Sequence, residues 1–104
     1  MRTEKEIHAI AKKYIAKKSE ESGIDLIFNK YEMEEFDFGI VFYYTSKLWN
    51  ETGDFKYAIA GNGPFIIEYK TGDIYQFGTA LDLKENIEEY KRRFLLPVPK
   101  EYFK

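Results

Sequence analysis

The run FDFGIVFYYT at residues 36–45 decides the fold class, because bulky side chains alternate along it with a period of two. The residues that share one face of this extended run are Phe36, Phe38, Ile40, Phe42 and Tyr44. A looser alternation over residues 24–33 precedes it, and the polar pair Glu34 and Glu35 separates the two runs. Alternation of this kind is typical of strands, so we expect an antiparallel hairpin that turns at Glu34 and Glu35.

Three further short strands are predicted downstream, over residues 55–60, 65–70 and 74–77. The strongest turn signal in the chain lies between the first two of these strands, and it consists of Gly61, Asn62, Gly63 and Pro64. A Thr-Gly-Asp turn at residues 71–73 has hairpin spacing between the last two strands. Residues 46–54 are interpreted as a polar loop.

Two amphipathic helices flank the strands. The first covers residues 3–19, where Thr3 and Glu6 have the spacing of a capping box and Ser22-Gly23 provides a stop. The second begins at Asp82, which forms a capping box with Glu85. Its apolar face is predicted to contain Leu83, Ile87, Tyr90 and Phe94.

This order of elements predicts a single α+β domain over residues 1–104. The N-terminal helix is followed by an antiparallel sheet of about five strands and by a C-terminal helix packed on one sheet face. Both helices are expected to cover the same face of the sheet. Pro97 and Pro99 end the second helix, and the last residues are expected to form a loosely packed tail.

The composition excludes several classes of function. A net charge of −2 lacks the basic footprint that a general nucleic-acid binder needs. The chain has no Cys and one His, so it has no thiolate zinc site, no Cys nucleophile and no His-rich metal cage. We therefore expect no enzyme activity, no metal and no cofactor. The charged N-terminus and the lack of a long apolar run predict a cytoplasmic protein that does not bind membranes.

Two features are candidates for binding a partner. Glu32, Glu34, Glu35 and Asp37 place four carboxylates within six residues, either as a solvated hairpin tip or as a docking patch for a basic partner. Trp49 lies in the predicted loop, where its ring either covers the edge of the core or anchors a partner.

Glycine-rich segments in this chain are interpreted as structural. The Gly61, Asn62, Gly63 and Pro64 segment lacks the Lys-Ser/Thr ending of a phosphate loop and is followed by a strand rather than a helix. Gly78 and Thr79 are expected to turn the chain from the last strand into the second helix. His8 lies off the apolar stripe of the first helix and is interpreted as a surface residue.

The segments AGNGPFII at residues 60–67, KTGDI at 70–74 and FGTA at 77–80 together resemble the signature of the YrhB-like family, also called immunity protein 35. The helix after them continues the pattern with Leu83, Ile87 and Tyr90. The resemblance covers residues 36–92 and includes the aromatic strand at 39–44 and the ETGD segment at 51–54.

This resemblance implies a small bacterial cytoplasmic protein that binds and neutralises a cognate polymorphic toxin without catalysis. It also implies an alternative, because some members are described as chaperone-like proteins that hold unfolded chains. Neither role assigns a catalytic residue or a set of toxin contacts to this sequence. The partner expected is a protein toxin, and an exposed sheet edge would also permit a homodimer.

Overall fold

The computed structural model describes residues 1–28, 33–53 and 63–103. Its elements are α1 (Glu4–Ser22), β1 (Leu26–Phe28), β2 (Glu34–Phe36), β3 (Gly39–Phe42), β4 (Tyr44–Ser46), α2 (Lys47–Thr52), β5 (Phe65–Glu68), β6 (Ile74–Gln76), α3 (Leu83–Lys91) and a 3-10 turn (Lys100–Phe103). The α+β class is confirmed. The strands form two antiparallel sheets, β1-β4 and β2-β3-β5-β6, rather than one sheet of about five. The predicted strand at 55–60 lies outside the described residues.

The helix starts follow the local sequence signals. Thr3 accepts a hydrogen bond from the Glu6 backbone N–H at 3.2 Å, and the Glu6 carboxylate accepts one from the Thr3 N–H at 3.2 Å. Asp82 accepts one from the Glu85 N–H at 2.9 Å. Helix α1 ends at Gly23, whose φ of 71° is readily adopted by glycine. Both capping boxes are thus confirmed.

The predicted hairpin has its turn in a different place. Glu34 and Glu35 belong to β2, where they pair with Val41 and Ile40, and the chain turns at Asp37 and Phe38. Phe38 fits the apolar alternation of the sequence although it lies in the turn, so the alternation does not indicate where the turn is. Its ring stacks on the Phe36 ring at 5.3 Å between centroids, which supplies apolar contact within the turn itself.

The run at 36–45 is also interrupted after Phe42. Residues 39–42 form β3, whereas residues 44–46 form β4 and pair with β1 in a separate two-stranded ribbon. The downstream strands at 65–70 and 74–77 are present in shorter form as β5 and β6. Every residue of β3 and β5 is buried.

The four-stranded sheet is covered on both faces, so the prediction that both helices share one face is wrong. One core contains Ile7 and Tyr14 of α1 packed with Ile40, Phe42 and Phe65. The other core contains Ile87 and Tyr90 of α3 packed with the sheet residues Val41, Ile66, Tyr75 and Phe77. Continuously buried strands indicate cover on both faces, because a strand exposed on one side alternates between apolar and polar residues.

Residues 47–52 form the short helix α2, so the predicted polar loop at 46–54 is also wrong. Ser46 acts as its N-cap and accepts a hydrogen bond from the Trp49 backbone N–H at 2.9 Å. Gly53, with a φ of 67°, ends the helix. A serine at the start and a glycine at the end are the ordinary signals for a helix, here only six residues long.

The C-terminal segment is packed rather than loose. The Val98 backbone N–H donates to the Ile74 carbonyl of β6 at 2.8 Å. The Tyr102 ring lies 5.6 Å from the Tyr14 ring, and its hydroxyl donates to the Glu21 carboxylate. The chain therefore folds its own end across the outer side of β6. Helix α3 has already ended at Lys91, which leaves Phe94 outside it and 68% exposed.

Candidate functional site: an edge strand and its groove

The structure divides the predicted acidic patch between two faces of the sheet. Glu34 pairs with Val41, which packs on the α3 side, whereas Glu35 pairs with Ile40, which packs on the α1 side. Residues directly opposite in an antiparallel pair point to the same face, so the two glutamates point to opposite faces. Asp37 lies in the turn that follows β2, and Glu32 lies outside the described residues.

Exposed carboxylates lie on the α1 side of this edge. Burial raises the pKa of the Tyr69 hydroxyl, and the nearby charges of Glu4 and Glu35 raise it further. Both carboxylates therefore act on the same neighbourhood, although Glu4 belongs to the first turn of α1 and Glu35 to β2. Their side chains are exposed. A positive group placed beside β2 on this side would be attracted by both.

The α3 side of the same edge contains a groove of about 400 Å³ between β2 and α3. Phe36, Leu83 and Ile87 provide its apolar lining. The remaining lining residues have charged side chains of both signs: Glu34, Lys84, Glu88 and Lys91. The groove thus combines an apolar base with charged side chains of both signs around it. Ligand sites on proteins are commonly apolar with a few polar groups.

Packing of Phe38 and Lys91 defines one end of this region. The Phe38 ring stacks on the Tyr90 ring at 5.6 Å, which joins the β2-β3 turn to α3. The Lys91 ammonium group lies 5.0 Å from the centre of the Phe38 ring, within the range of a cation–π contact. The end of α3 is therefore held against the turn, and the groove lies along the preceding turns of the helix.

β2 is the edge strand of its sheet. Within residues 1–28, 33–53 and 63–103, its pairing partner is β3, and its other side pairs with no described strand. Glu34 and Glu35 are exposed, and Phe36 is half-buried. The backbone groups on the outer side of an edge strand are available for pairing with another chain. The edge and the groove together form the candidate site.

The structure does not bring Trp49 to this site. Trp49 lies on α2, which directly follows β4, at the end of the β3-β4 run opposite to the Asp37 turn. Its side chain is half-buried, while the neighbouring Leu48 is 48% exposed. The acidic residues of β2 and its turn and the predicted anchor Trp49 therefore lie on separate surfaces.

Gly63 and Pro64, from the predicted structural turn, lie against the end of β6. The Pro64 carbonyl accepts a hydrogen bond from the Phe77 N–H at 2.9 Å. The Gln76 side-chain amide donates to the Gly63 carbonyl at 2.7 Å and to the Pro64 carbonyl at 3.1 Å. A Cβ on Gly63 would collide with the Phe77 carbonyl oxygen and lie 2.6 Å from that of Gly78. Close backbone approach therefore requires glycine here.

Gly78 and Thr79, which are expected to turn the chain from the last strand into the second helix, lie between β6 and α3 and are exposed. Asn86 of α3 donates a hydrogen bond to the Gly78 carbonyl at 3.4 Å. Gly61 and Asn62 lie outside the described residues.

The sequence reasoning missed a buried carboxylate at the end of β5. Glu68 is 7% exposed. Its Oε1 accepts hydrogen bonds from the Tyr90 hydroxyl at 2.7 Å and from Arg93 at 3.4 Å, and its Oε2 accepts one from Thr71 at 2.9 Å. Burial, and then the bond to Glu68, raises the pKa of the Tyr90 hydroxyl well above its usual range. The hydrogen bond from Tyr90 connects α3 to the end of β5.

The signal for Glu68 was present in the sequence, because it is a charged residue that directly follows the apolar run of β5. The groove had no such signal, since Phe36 and Ile87 come from segments about fifty residues apart. His8, interpreted as a surface residue, is half-buried with its ring edge-on to Phe42 at 5.3 Å.

Within residues 1–28, 33–53 and 63–103, no three His, Asp or Glu side chains come together as a group that could hold a metal ion. No helix there is long and apolar enough to cross a bilayer.

Comparison with known proteins gives one informative relative. No protein-family model matches the chain. No solved structure matches it either. The chain is 40% identical over 65 residues to the uncharacterized protein YrhB of Escherichia coli strain K12, and the alignment covers 60% of this chain and 69% of YrhB. An identity of this size over most of the relative shows common descent, and the chain therefore belongs to the same family as YrhB.

Proposed function

We propose that this chain is a non-catalytic immunity protein that binds and neutralises a cognate bacterial toxin. The observation that carries the proposal is the edge at β2, where no described strand pairs on the outer side and an apolar groove lies beside exposed carboxylates. Such an edge offers a partner apolar contact area that loses its water on binding, and it also offers charge. The resemblance to the immunity protein 35 family, seen in the sequence, supports the same role.

A blocking function requires only a complementary surface. A standard interface buries about 800 Å² on each partner. The groove would form the centre of such an interface, and the β2-β3 turn and the exposed side of α3 would form its rim. Glu34, Glu35 and Asp37 would favour a toxin whose active cleft is basic, such as a nuclease. Electrostatic attraction of this kind increases the association rate and helps to exclude wrong partners.

The proposal is tested by expressing each protein encoded beside this chain's gene, with and without the chain, in a sensitive bacterial host. We expect one of these proteins to arrest growth and co-expression of the chain to restore it. Calorimetry with the purified proteins should then show one molecule bound to one toxin. Continued growth arrest in the presence of the folded chain would refute the immunity role.

The chaperone-like alternative has one supporting observation. Phe94 is 68% exposed and Leu96 is 89% exposed, so two large apolar side chains lie close together in the sequence and open to solvent. Exposed apolar surface can hold unfolded chains. Suppression of heat-induced aggregation of an unrelated protein would favour this role, and Phe94→Ser with Leu96→Ser should abolish it. Absence of any suppression would exclude it.

A further inference from the structure

We propose that β2 binds its partner by strand addition, and that the added segment alternates apolar and basic side chains. The inference rests on the proposed function, because it names the chemistry of the partner at the same site. It also makes a claim of its own, since a peptide of the stated pattern should bind here whatever the identity of the toxin.

The backbone edge provides the hydrogen bonds. On the outer side of β2, no other strand is paired in the described ranges 1–28, 33–53 and 63–103. An extended peptide adds to such an edge through main-chain hydrogen bonds, and pockets that receive alternate side chains give the specificity. The groove lies directly beside this edge, so it can receive side chains from one face of an added strand.

The two faces of β2 require different side chains from that strand. On the α3 side the strand would lie over Phe36, Leu83 and Ile87, and the charges on the rim are of both signs. An apolar side chain suits this floor best. On the α1 side it would meet the exposed carboxylate of Glu35 and the neighbouring charge of Glu4. A lysine or arginine suits this side. Since successive strand residues point to opposite faces, the pattern alternates.

A second copy of this chain is a poor occupant of the same edge. If two β2 strands paired with each other, Glu34 and Glu35 of one copy would face the glutamates of the other at close range. Like charges directly opposite in a sheet are destabilising, and charged side chains on edge strands oppose self-association. The charge of β2 therefore favours a partner with basic residues over a homodimer formed through this edge.

The test uses an acetylated, amidated peptide of about seven residues that alternates lysine and valine, a length sufficient to span the edge strand. Chemical shifts of the backbone amides of the full chain are followed as the peptide is added. We expect saturable shifts at Glu34, Glu35 and Phe36 and at Leu83 and Ile87. A peptide that alternates glutamate and valine should bind at least tenfold more weakly.

Two controls separate strand addition from simple charge attraction. The lysine–valine peptide with N-methyl groups on alternate amides keeps its charge but cannot pair as a strand, and we expect it to lose binding. In the protein, Glu35→Lys should weaken binding of the unmodified peptide about fivefold to tenfold. Glu20→Lys changes the charge equally at an exposed site on α1 and should have little effect.

Equal binding of the N-methylated peptide, or shifts that map elsewhere, would overturn the inference. So would concentration-dependent dimerisation through β2 in sedimentation experiments, because a second copy would then occupy the edge. Toxin neutralisation without peptide binding would refute strand addition and leave the immunity role intact. Peptide binding at β2 without toxin neutralisation would support strand addition and refute the immunity role.

Discussion

The two edges of the four-stranded sheet differ in what covers them within the described residues. At β6, the C-terminal segment crosses the outer side, and the Val98 N–H occupies the Ile74 carbonyl at 2.8 Å. At β2, no described strand pairs on the outer side, and exposed glutamates stand beside a groove. An edge that serves only stability can be covered by the protein itself. An edge that carries exposed charge, as β2 does, can accept a partner of opposite charge.

This comparison predicts that substitutions near β6 affect folding, whereas substitutions on β2 affect association. The largest effect is expected at Gly63. Gly63→Ala places a methyl group against the carbonyls of Phe77 and Gly78 and should lower the free energy of unfolding by about 2–3 kcal/mol. Urea unfolding followed by circular dichroism measures the change.

Gly78→Ala is the matched control for that experiment. An added Cβ at Gly78 meets no atom within 4 Å in the described structure, and Gly78 is not in the left-handed region. We expect a change of less than about 1 kcal/mol, in the stabilising direction if the unfolded chain loses freedom. Equal losses for the two variants would show that close backbone approach is not what Gly63 provides.

The next largest effect is expected for the segment that covers β6. Tyr102→Ala removes the ring that packs on Tyr14 and the hydroxyl bonded to Glu21, so we expect a loss of about 1–3 kcal/mol in unfolding free energy. Tyr102→Phe keeps the ring and should lose less. A melting temperature unchanged by Tyr102→Ala would mean that the C-terminal segment does not protect this edge.

Alkaline pH should destabilise the fold, and two of the responsible hydroxyls lie on the covered side. Burial raises the pKa values of the Tyr14 and Tyr102 hydroxyls in the folded state, and the Glu21 carboxylate adds to the shift at Tyr102. Unfolded tyrosine has a pKa of about 10, so above that pH the unfolded state loses protons first. Stability should therefore be complete below about pH 10 and fall as the pH rises further.

Urea unfolding at several pH values above and below that point measures this dependence. The folded state of Tyr102→Phe has one fewer tyrosine of raised pKa, and its stability should fall less steeply. Constant stability through the same pH range would contradict the buried hydroxyl network.

The smallest effect on folding is expected at the open edge. Glu34→Gln combined with Glu35→Gln should change the unfolding free energy by no more than about 0.5 kcal/mol, because both side chains are exposed. Thermal denaturation compares this variant with the parent. A loss of several kcal/mol would mean that these carboxylates stabilise the fold and are not available to a partner.

The parts of this fold that the sequence predicts correctly are those controlled by local signals. Thr3 with Glu6 and Asp82 with Glu85 define helix starts through contacts within four residues. The sequence pattern places the hairpin turn too early, because Phe38 lies in the turn yet continues the apolar alternation. Ring stacking with Phe36 and Tyr90 makes that arrangement favourable, and Tyr90 is distant in sequence.

The placement of the helices on opposite faces was missed for a related reason. The unbroken burial of Ile66 and Ile67 in β5 requires cover on both sides, but an apolar run by itself does not say which helix lies on which face. The acidic patch was recognised, yet its division between two faces depends on the register of β2 against β3. The groove depends on the docking of α3, and no local pattern encodes that.

The proposed binding of a basic partner at β2 should depend on the exposed carboxylates of Glu34 and Glu35, and association kinetics measure their contribution. Stopped-flow mixing with the toxin that the chain neutralises in the co-expression experiment compares the parent, the Glu34→Gln Glu35→Gln double variant and the control Glu20→Gln at two ionic strengths. We predict that the double variant associates more slowly at low salt and shows a weaker salt dependence, while the control resembles the parent. Equal association rates for all three proteins at both ionic strengths would show that the carboxylates of β2 do not attract the partner.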